Sequence, residues 1–298
     1  MDWKTTRIDT LLEQSLVEDM ATRDATTTLT IDPALRASAS ILARQEMVVC
    51  GLGVIDRFLK IFAKLDKRPQ AQVRFKVVSH PEIFDGVRVH DGQVLAVVQH
   101  NARTLLSCER VILNLMQHLS GIATETRRYV DAIEGTGARV LDTRKTVPGL
   151  RTLEKYAVAC GGGVNHRMDL ASGILIKNNH ISLGGGVEKV LKSALKNRKP
   201  GQRVQVEVRT TEELEDALQF GAESLLLDNM TPKQVKAAVK RIRAWSEGKQ
   251  PIPAEASGGI QLKTIRAYAE AGVDFISVGA LTHSASAADI SMRITAEN

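Results

Sequence analysis

Aromatic residues are scarce in this 298-residue chain, at 4%. So few rings leave no stacking platform for single-stranded nucleic acid, although a net charge of +6 and a pI near 9.3 attract anions in general. Basic residues are interspersed with acids, as in Glu125-Thr126-Arg127-Arg128, so no basic stripe forms and no nucleic acid is expected as a partner. A small polyanion fits better. Cysteine is also sparse: Cys50, Cys108 and Cys160 are odd in number, widely separated and form no CxxC. That excludes a disulfide framework and a zinc site, and predicts buried, reduced thiols. No apolar run is long enough to cross a bilayer, so no membrane contact is expected. The opening Met1-Asp2-Trp3-Lys4-Thr5-Thr6-Arg7 lacks the apolar core of a secretion signal, and a cytoplasmic location is expected. No Gly-x-Gly-x-x-Gly follows any predicted strand, which weakens a dinucleotide-binding reading, and there is no low-complexity segment or fixed repeat.

What is present is the content of an ordinary folded protein, 43% hydrophobic and 25% charged. The N-terminal third mixes a helix over Ile8 to Met20 with the alternating segment Ala37 to Ala43, the apolar stretch Met47 to Cys50, the alternation Val73, Phe75, Val77, and a strand over Val94 to Gln99. This predicts an α+β sandwich. Leu106, Val111, Leu115, Leu119 and Ile122 have helical spacing, continued to Ile133, and predict a long helix joining two domains. Beyond it, short apolar strands alternate with amphipathic helices: Arg139 to Leu141, Gly173 to Ile176, Val204 to Val208, Ser224 to Leu227, Ile252 to Ala256 and Asp274 to Val278. Thr210 with Glu213, and Thr231-Pro232-Lys233-Gln234, mark helix starts. Such units predict a parallel sheet with crossover helices, a barrel in preference to an open doubly wound sheet.

In a βα barrel the substrate sits at the C-terminal ends of the strands. The residues there are Asp142-Thr143-Arg144-Lys145, Lys177, Glu207, Asp228, Ser257-Gly258-Gly259 and Gly279. Any one of these can simply mark where a strand meets water; six in register are harder to dismiss. Arg144, Lys145, His166, Arg167 and Lys177 would converge on one mouth suited to a multiply charged acid. Taken singly, His166 reads as an ordinary structural histidine, and Arg151 and Lys155 as solvated surface charges. Glu207 and Asp228, one strand apart, are placed either to hold Mg2+, directly or through water, or to accept hydrogen bonds from ribose hydroxyls. Ser257-Gly258-Gly259 and Gly279-Ala280 follow the last two strands, where barrels bind phosphate through backbone N–H groups. Together these parts suggest phosphoribosyl transfer.

At these residues the sequence also resembles the quinolinate phosphoribosyltransferase family. The likeness lies in Leu141-Asp142-Thr143-Arg144-Lys145-Thr146, Lys155-Tyr156-Ala157-Val158, Gly161-Gly162-Gly163-Val164-Asn165-His166-Arg167 and Ile176-Lys177-Asn178-Asn179-His180. It continues through Glu207-Val208, Leu227-Asp228-Asn229, Glu255-Ala256-Ser257-Gly258-Gly259-Ile260 and Ser277 to His283, with Glu109-Arg110, Asn114 and Ser120 to Ala123 in the N-terminal third. The resemblance implies an N-terminal α+β sandwich over residues 1–122, an incomplete TIM-like α/β barrel over 123–284, and a C-terminal helix over 285–298 returning to the first domain. It implies a homodimer using quinolinate, phosphoribosyl pyrophosphate and Mg2+. Arg144, His166, Arg167 and Lys177 would bind the two quinolinate carboxylates, and Arg110 would reach the neighbouring subunit's site. Lys145 would face the pyrophosphate, Glu207 and Asp228 the ribose with Mg2+ nearby, and Ser257, Gly258 and Gly279 the 5′-phosphate. Lys145, Lys177, Glu207 and Asp228 are the expected catalytic set. Asn178 departs from the family, standing where many relatives carry an acid.

Three rivals can be separated by experiment. A Schiff-base aldolase would use Lys177 alone. A nucleic-acid-binding protein would rest on the pI alone. A sibling transferase acting on nicotinate without decarboxylation shares the fold expectation, and the number of cations favours the dicarboxylic acid.

Overall fold

The computed structural model describes residues 1–297, which fall into two compact units. The first comprises Met1–Glu125, Ala159–Gly162 and the segment from Ala285 onward; the second comprises Thr126–Val158 and Gly163–Ser284.

In the first unit, α1 (Thr6–Glu18) begins where the Thr5 side chain accepts a hydrogen bond from the Ile8 N–H, and it buries Ile8, Leu12 and Leu16 along one face. Then follow α2 (Ala25–Thr30), β1 (Arg36–Ala43), β2 (Met47–Val48), α3 (Gly53–Leu65), β3 (Lys76–Val78), β4 (Arg88–Val89), β5 (Val94–Asn101) and α4 (Ala102–Ala132). Along β1, Ala37, Ala39, Ile41 and Ala43 are buried in strict alternation, as one face of a sheet requires. Phe58 and Phe62 of α3 are among the largest fully buried side chains, each contributing roughly 1.5–3 kcal/mol by leaving water. The expected strand through Val73 and Phe75 is shorter than its alternation suggests, because Pro69–Gln72 forms a 3-10 turn and pairing starts at Lys76. Helix α4 gives 102–125 to the first unit and 126–132 to the second.

The second unit alternates as predicted: β6 (Arg139–Leu141), α5 (Arg151–Cys160), β7 (Ile174–Ile176), α6 (Asn178–Gly184), α7 (Val187–Asn197), β8 (Val204–Val208), α8 (Thr211–Gln219), β9 (Ser224–Asp228), α9 (Pro232–Trp245), β10 (Ala254–Ser257), α10 (Leu262–Glu270), β11 (Phe275–Ser277) and α11 (Ala280–His283). The six strands run parallel in the order β6-β11-β10-β9-β8-β7, an α/β barrel that does not close. Thr210 caps α8 by accepting from the Glu213 N–H, and Thr231 with Gln234 forms the capping box of α9 behind Pro232.

The expected C-terminal helix is a strand. β12 (Ile290–Ala296) pairs antiparallel with β1, from Ala43 opposite Ile290 to Ala37 opposite Ala296, and completes the sheet β12-β1-β5-β3. Ile290, Met292 and Ile294 alternate with Ser291, Arg293 and Thr295, a period of two that a helix cannot use. The approach to this strand crosses α4 at Gly121, where an added Cβ would lie 2.1 Å from the Ser286 carbonyl oxygen. Among the described residues the three cysteines form no disulfide, and burial raises the pKa of Cys50 and Cys108; Cys160, expected to be buried, is partly exposed.

Candidate active site

A cleft of about 720 Å³ opens at the C-terminal ends of the parallel strands, within the second unit. The sequence-predicted residues Arg144, Lys145, His166, Arg167, Lys177, Glu207, Asp228, Ser257, Gly258 and Gly279 all line it. Arg110 does not: it lies exposed on α4, in the first unit.

The cationic side is built by two short segments laid beside one another. Residues after β6 carry Arg144 and Lys145, while the chain at Val164 bridges to Leu141 in parallel and delivers His166 and Arg167. Beneath them Asp142 and Lys155, 0% and 1% exposed, form an ion pair. The same Asp142 oxygen accepts the His166 N–H at 2.7 Å, and Lys155 donates to the His166 carbonyl at 3.0 Å. Asn165, with its amide nitrogen turned inward, donates to the Lys155 carbonyl and to the other Asp142 oxygen. Both backbone polar groups of His166 are therefore fixed by one buried pair. This corrects the reading of Lys155 as a surface charge. Arg151 is likewise tied in: its Nε donates to Thr146 Oγ1 at 3.0 Å and its Nη2 to the Arg144 carbonyl at 3.3 Å.

Two guanidinium groups share this corner, and the carboxylate of Asp169 acts on both. Burial, and then the charge of Arg144, lower the pKa of Arg167, and Arg144 Nε is buried without a hydrogen-bond partner. Two positive charges beside one acid, facing a cleft, leave a net positive charge that suits an anion. Lys145 passes close under Gly279, where an added Cβ would lie 3.0 Å from Lys145 Cδ.

Across the cleft, Glu207 is the penultimate residue of β8 and Asp228 ends the neighbouring β9. Burial, and then the negative charge of Asp228, raise the pKa of Glu207, against the opposing pull of Lys177 and Arg209. Lys177 Nζ is 4.0 Å from Glu207, and Arg209 bridges the two acids at 3.7 Å from Glu207 and 3.1 Å from Asp228. Asn178, with its carbonyl turned to Arg209, accepts from the same guanidinium, so the amide fits a position already beside a cation. Among the described residues, no three His, Cys, Asp or Glu side chains gather to hold a metal. A pair of carboxylates still suits Mg2+, which keeps several water ligands and shares the rest with phosphate oxygens.

The phosphate-type loops lie at β10 and β11. Gly258 has φ +97°, and a Cβ there would come within 2.3 Å of Asn229 Oδ1, so only glycine permits this approach. Ser257 to Gln261 lead into the N-terminus of α10. Two charged lining residues were given no role by the sequence reading, Glu255 having been quoted only as part of a motif. Arg209 lies two positions beyond Glu207 and turns to the same mouth; Glu255 lies two before Ser257. The two-residue period of a strand was the available signal for both.

Comparison with known proteins agrees with this geometry. The family described as quinolinate phosphoribosyl transferase, C-terminal domain, matches residues 122–293, and its N-terminal domain matches 24–120. A probable nicotinate-nucleotide pyrophosphorylase (carboxylating) of Bacillus subtilis is 40% identical, covering 97% of this chain and 93% of its own. The nicotinate-nucleotide pyrophosphorylase (carboxylating) of Mycobacterium leprae is 41% identical over 90% of each chain. The crystal structure of NadC from Streptococcus pyogenes superposes with a TM-score of 0.89 at 35% identity, covering 100% of both chains. The chain belongs to the quinolinate phosphoribosyl transferase family.

Proposed function

We propose that this chain joins quinolinate to phosphoribosyl pyrophosphate and decarboxylates the adduct, giving nicotinate mononucleotide, pyrophosphate and CO2 in NAD biosynthesis. The observation that carries the reading is one cleft in which Arg144, Lys145, His166, Arg167 and Lys177 face the Glu207–Asp228 pair. Two substrates bearing a dicarboxylate and a pyrophosphate need that many cations, and the activity named for the relatives is the same. Lys177 is half exposed and faces Glu207, which is not the apolar setting of a Schiff-base lysine.

Arg144, His166, Arg167 and Lys177 hold the quinolinate carboxylates, orienting the pyridine nitrogen toward C1 of the ribose. Glu207 and Asp228 accept from the ribose hydroxyls, and Ser257, Gly258 and Gly279 surround the 5′-phosphate. Lys145 offers its charge to the pyrophosphate as the C1–O electron pair departs with it. Mg2+, held by Glu207 and Asp228 directly or through water, supplies further positive charge to that leaving group when bound. The nitrogen lone pair forms the new C1–N bond. The C2 carboxylate then leaves as CO2, and the C–C bonding pair, left on C2 beside the cationic nitrogen, forms the new C2–H bond with a proton from water.

The test is release of CO2 and pyrophosphate from quinolinate, phosphoribosyl pyrophosphate and Mg2+, with nicotinate offered in parallel. Turnover of quinolinate alone is expected; turnover of nicotinate alone would overturn the substrate assignment. The same reading makes the protein a cytoplasmic homodimer, with exposed Arg110 serving the neighbouring subunit's cleft. Mixing inactive Arg110→Ala with inactive Lys177→Ala subunits should then restore part of the activity, and no recovery despite confirmed subunit exchange would refute the shared site.

A further inference from the structure

Glu255 lies outside the roles assigned above. Of the three carboxylates lining the cleft it is the most deeply buried, at 3% exposed, and a buried acid is seldom left without partners. Its partners come from three separate segments. Gln205 of β8 donates to Oε2 at 2.7 Å, Ser277 of β11 donates to Oε1, and His166 Nε2 stands 3.6 Å from Oε2. Gln205 and Ser277 hold the carboxylate still, and it faces the imidazole.

The other ring nitrogen decides what that imidazole offers. His166 Nδ1 accepts the Arg167 backbone N–H at 2.7 Å, so in the neutral ring the proton sits on Nε2, the nitrogen turned toward Glu255. The backbone of His166 is already fixed by Asp142 and Lys155. Ring rotation is the remaining freedom; Glu255 stands 3.6 Å from Nε2, and Asp142 acts on the same imidazole through its charge. At 3.6 Å the contact is electrostatic, too long for a hydrogen bond, so the Nε2–H is aimed without being consumed.

We propose that Glu255 is a positioning residue for quinolinate: it holds the rotation of His166, whose tautomer the Arg167 N–H already sets, so that the imidazole meets a substrate carboxylate in one orientation. The proposal rests on the assignment of quinolinate to this cleft for its kinetic consequence, and on the ligand-free geometry alone for its structural one. Glu255→Gln keeps the volume and the polar contacts of the side chain and removes its charge.

Two measurements separate the possibilities. Imidazole nitrogen NMR of the substrate-free protein, with His166 assigned by the resonance lost in His166→Asn, should show an Nε2–H tautomer whose Nε2 resonance moves in Glu255→Gln, as the carboxylate beside it loses its charge. In steady-state kinetics, KM for quinolinate should rise about tenfold or more while KM for phosphoribosyl pyrophosphate stays within about twofold, as expected for one misaligned binding group. An unchanged His166 spectrum would overturn the proposal whatever the substrate proves to be. An equal rise in both KM values with a lowered Tm would also overturn it, marking Glu255 as scaffold. If quinolinate itself were not turned over, the spectrum would still judge the positioning role, so the two failures are distinguishable.

Discussion

Lys155 in the second unit and His100 in the first are buried to the same depth, 1% and 0% exposed, yet the fold treats them in opposite ways. Lys155 receives a carboxylate from Asp142 and a carbonyl from His166. His100 stacks on Phe75 with ring centroids 5.3 Å apart; its Nδ1 accepts the Asn101 N–H, and its Nε2 has no partner. Burial, and then the charge of Arg36, lower the His100 pKa to about 4, so it fills the sheet as a neutral ring. A charge is given partners where it organises the cleft, and shed where it only occupies space.

The largest effect should come from breaking the partnered case. Lys155→Met leaves Asp142 buried without its cation, and removing one partner of a buried pair costs about 3–5 kcal/mol. Urea unfolding should show that loss, and Asp142→Leu combined with Lys155→Met should lose less than the sum of the two single changes. The pH dependence has a definite sign. Burial already raises the Asp142 pKa while Lys155 pulls it down, so removing Lys155 raises it further. A raised acid binds its proton more readily folded than unfolded, so Lys155→Met should be weakest at neutral pH and partly relieved toward acid. A deficit that did not change with pH would place the loss in packing.

His100 predicts the reverse slope. Its folded pKa lies below the ordinary 6.5, so the unfolded chain takes up a proton that the folded chain refuses, and stability falls as pH drops from 6.5 toward about 4. The full span is about 3 kcal/mol. Subtracting the pH profile of His100→Leu from that of the parent isolates this share from the carboxylates. Parallel profiles would mean that His100 binds its proton as readily folded as unfolded, and that the contrast with Lys155 fails.

The sequence carried the parts of this molecule whose signals are local. The six parallel strands were legible because apolar runs such as Val204 to Val208 end at helix caps such as Thr210, and reading off their ends placed Arg144, Lys145, Lys177, Glu207, Asp228, Ser257, Gly258 and Gly279 on one cleft. The burial of Lys155 was not legible, since it depends on Asp142, thirteen positions earlier, arriving beneath the same loop. The alternation of Ile290, Met292 and Ile294 was readable, but an expectation of a returning helix stood in its way. Arg209 was hidden by its kind: an arginine at a strand end resembles any solvated charge until Asp228 appears 3.1 Å away.

Arg209 also supplies the smallest and most discriminating change. Like Lys155 it is a cation touching carboxylates, but its side chain is 50% exposed, whereas Lys155 is sealed in. Water and salt screen such a pair, and exposed ion pairs contribute about 0–1 kcal/mol. Arg209→Gln should therefore shift the urea midpoint little, while raising the Glu207 pKa, since Arg209 is one of the charges holding it down. Titrating the Glu207 carboxyl by carbon NMR in parent and variant reads that rise directly. A stability loss as large as that of Lys155→Met would mean that the cleft carboxylates are as dry as Asp142, and that partnering follows burial alone, whether or not the charge serves the site.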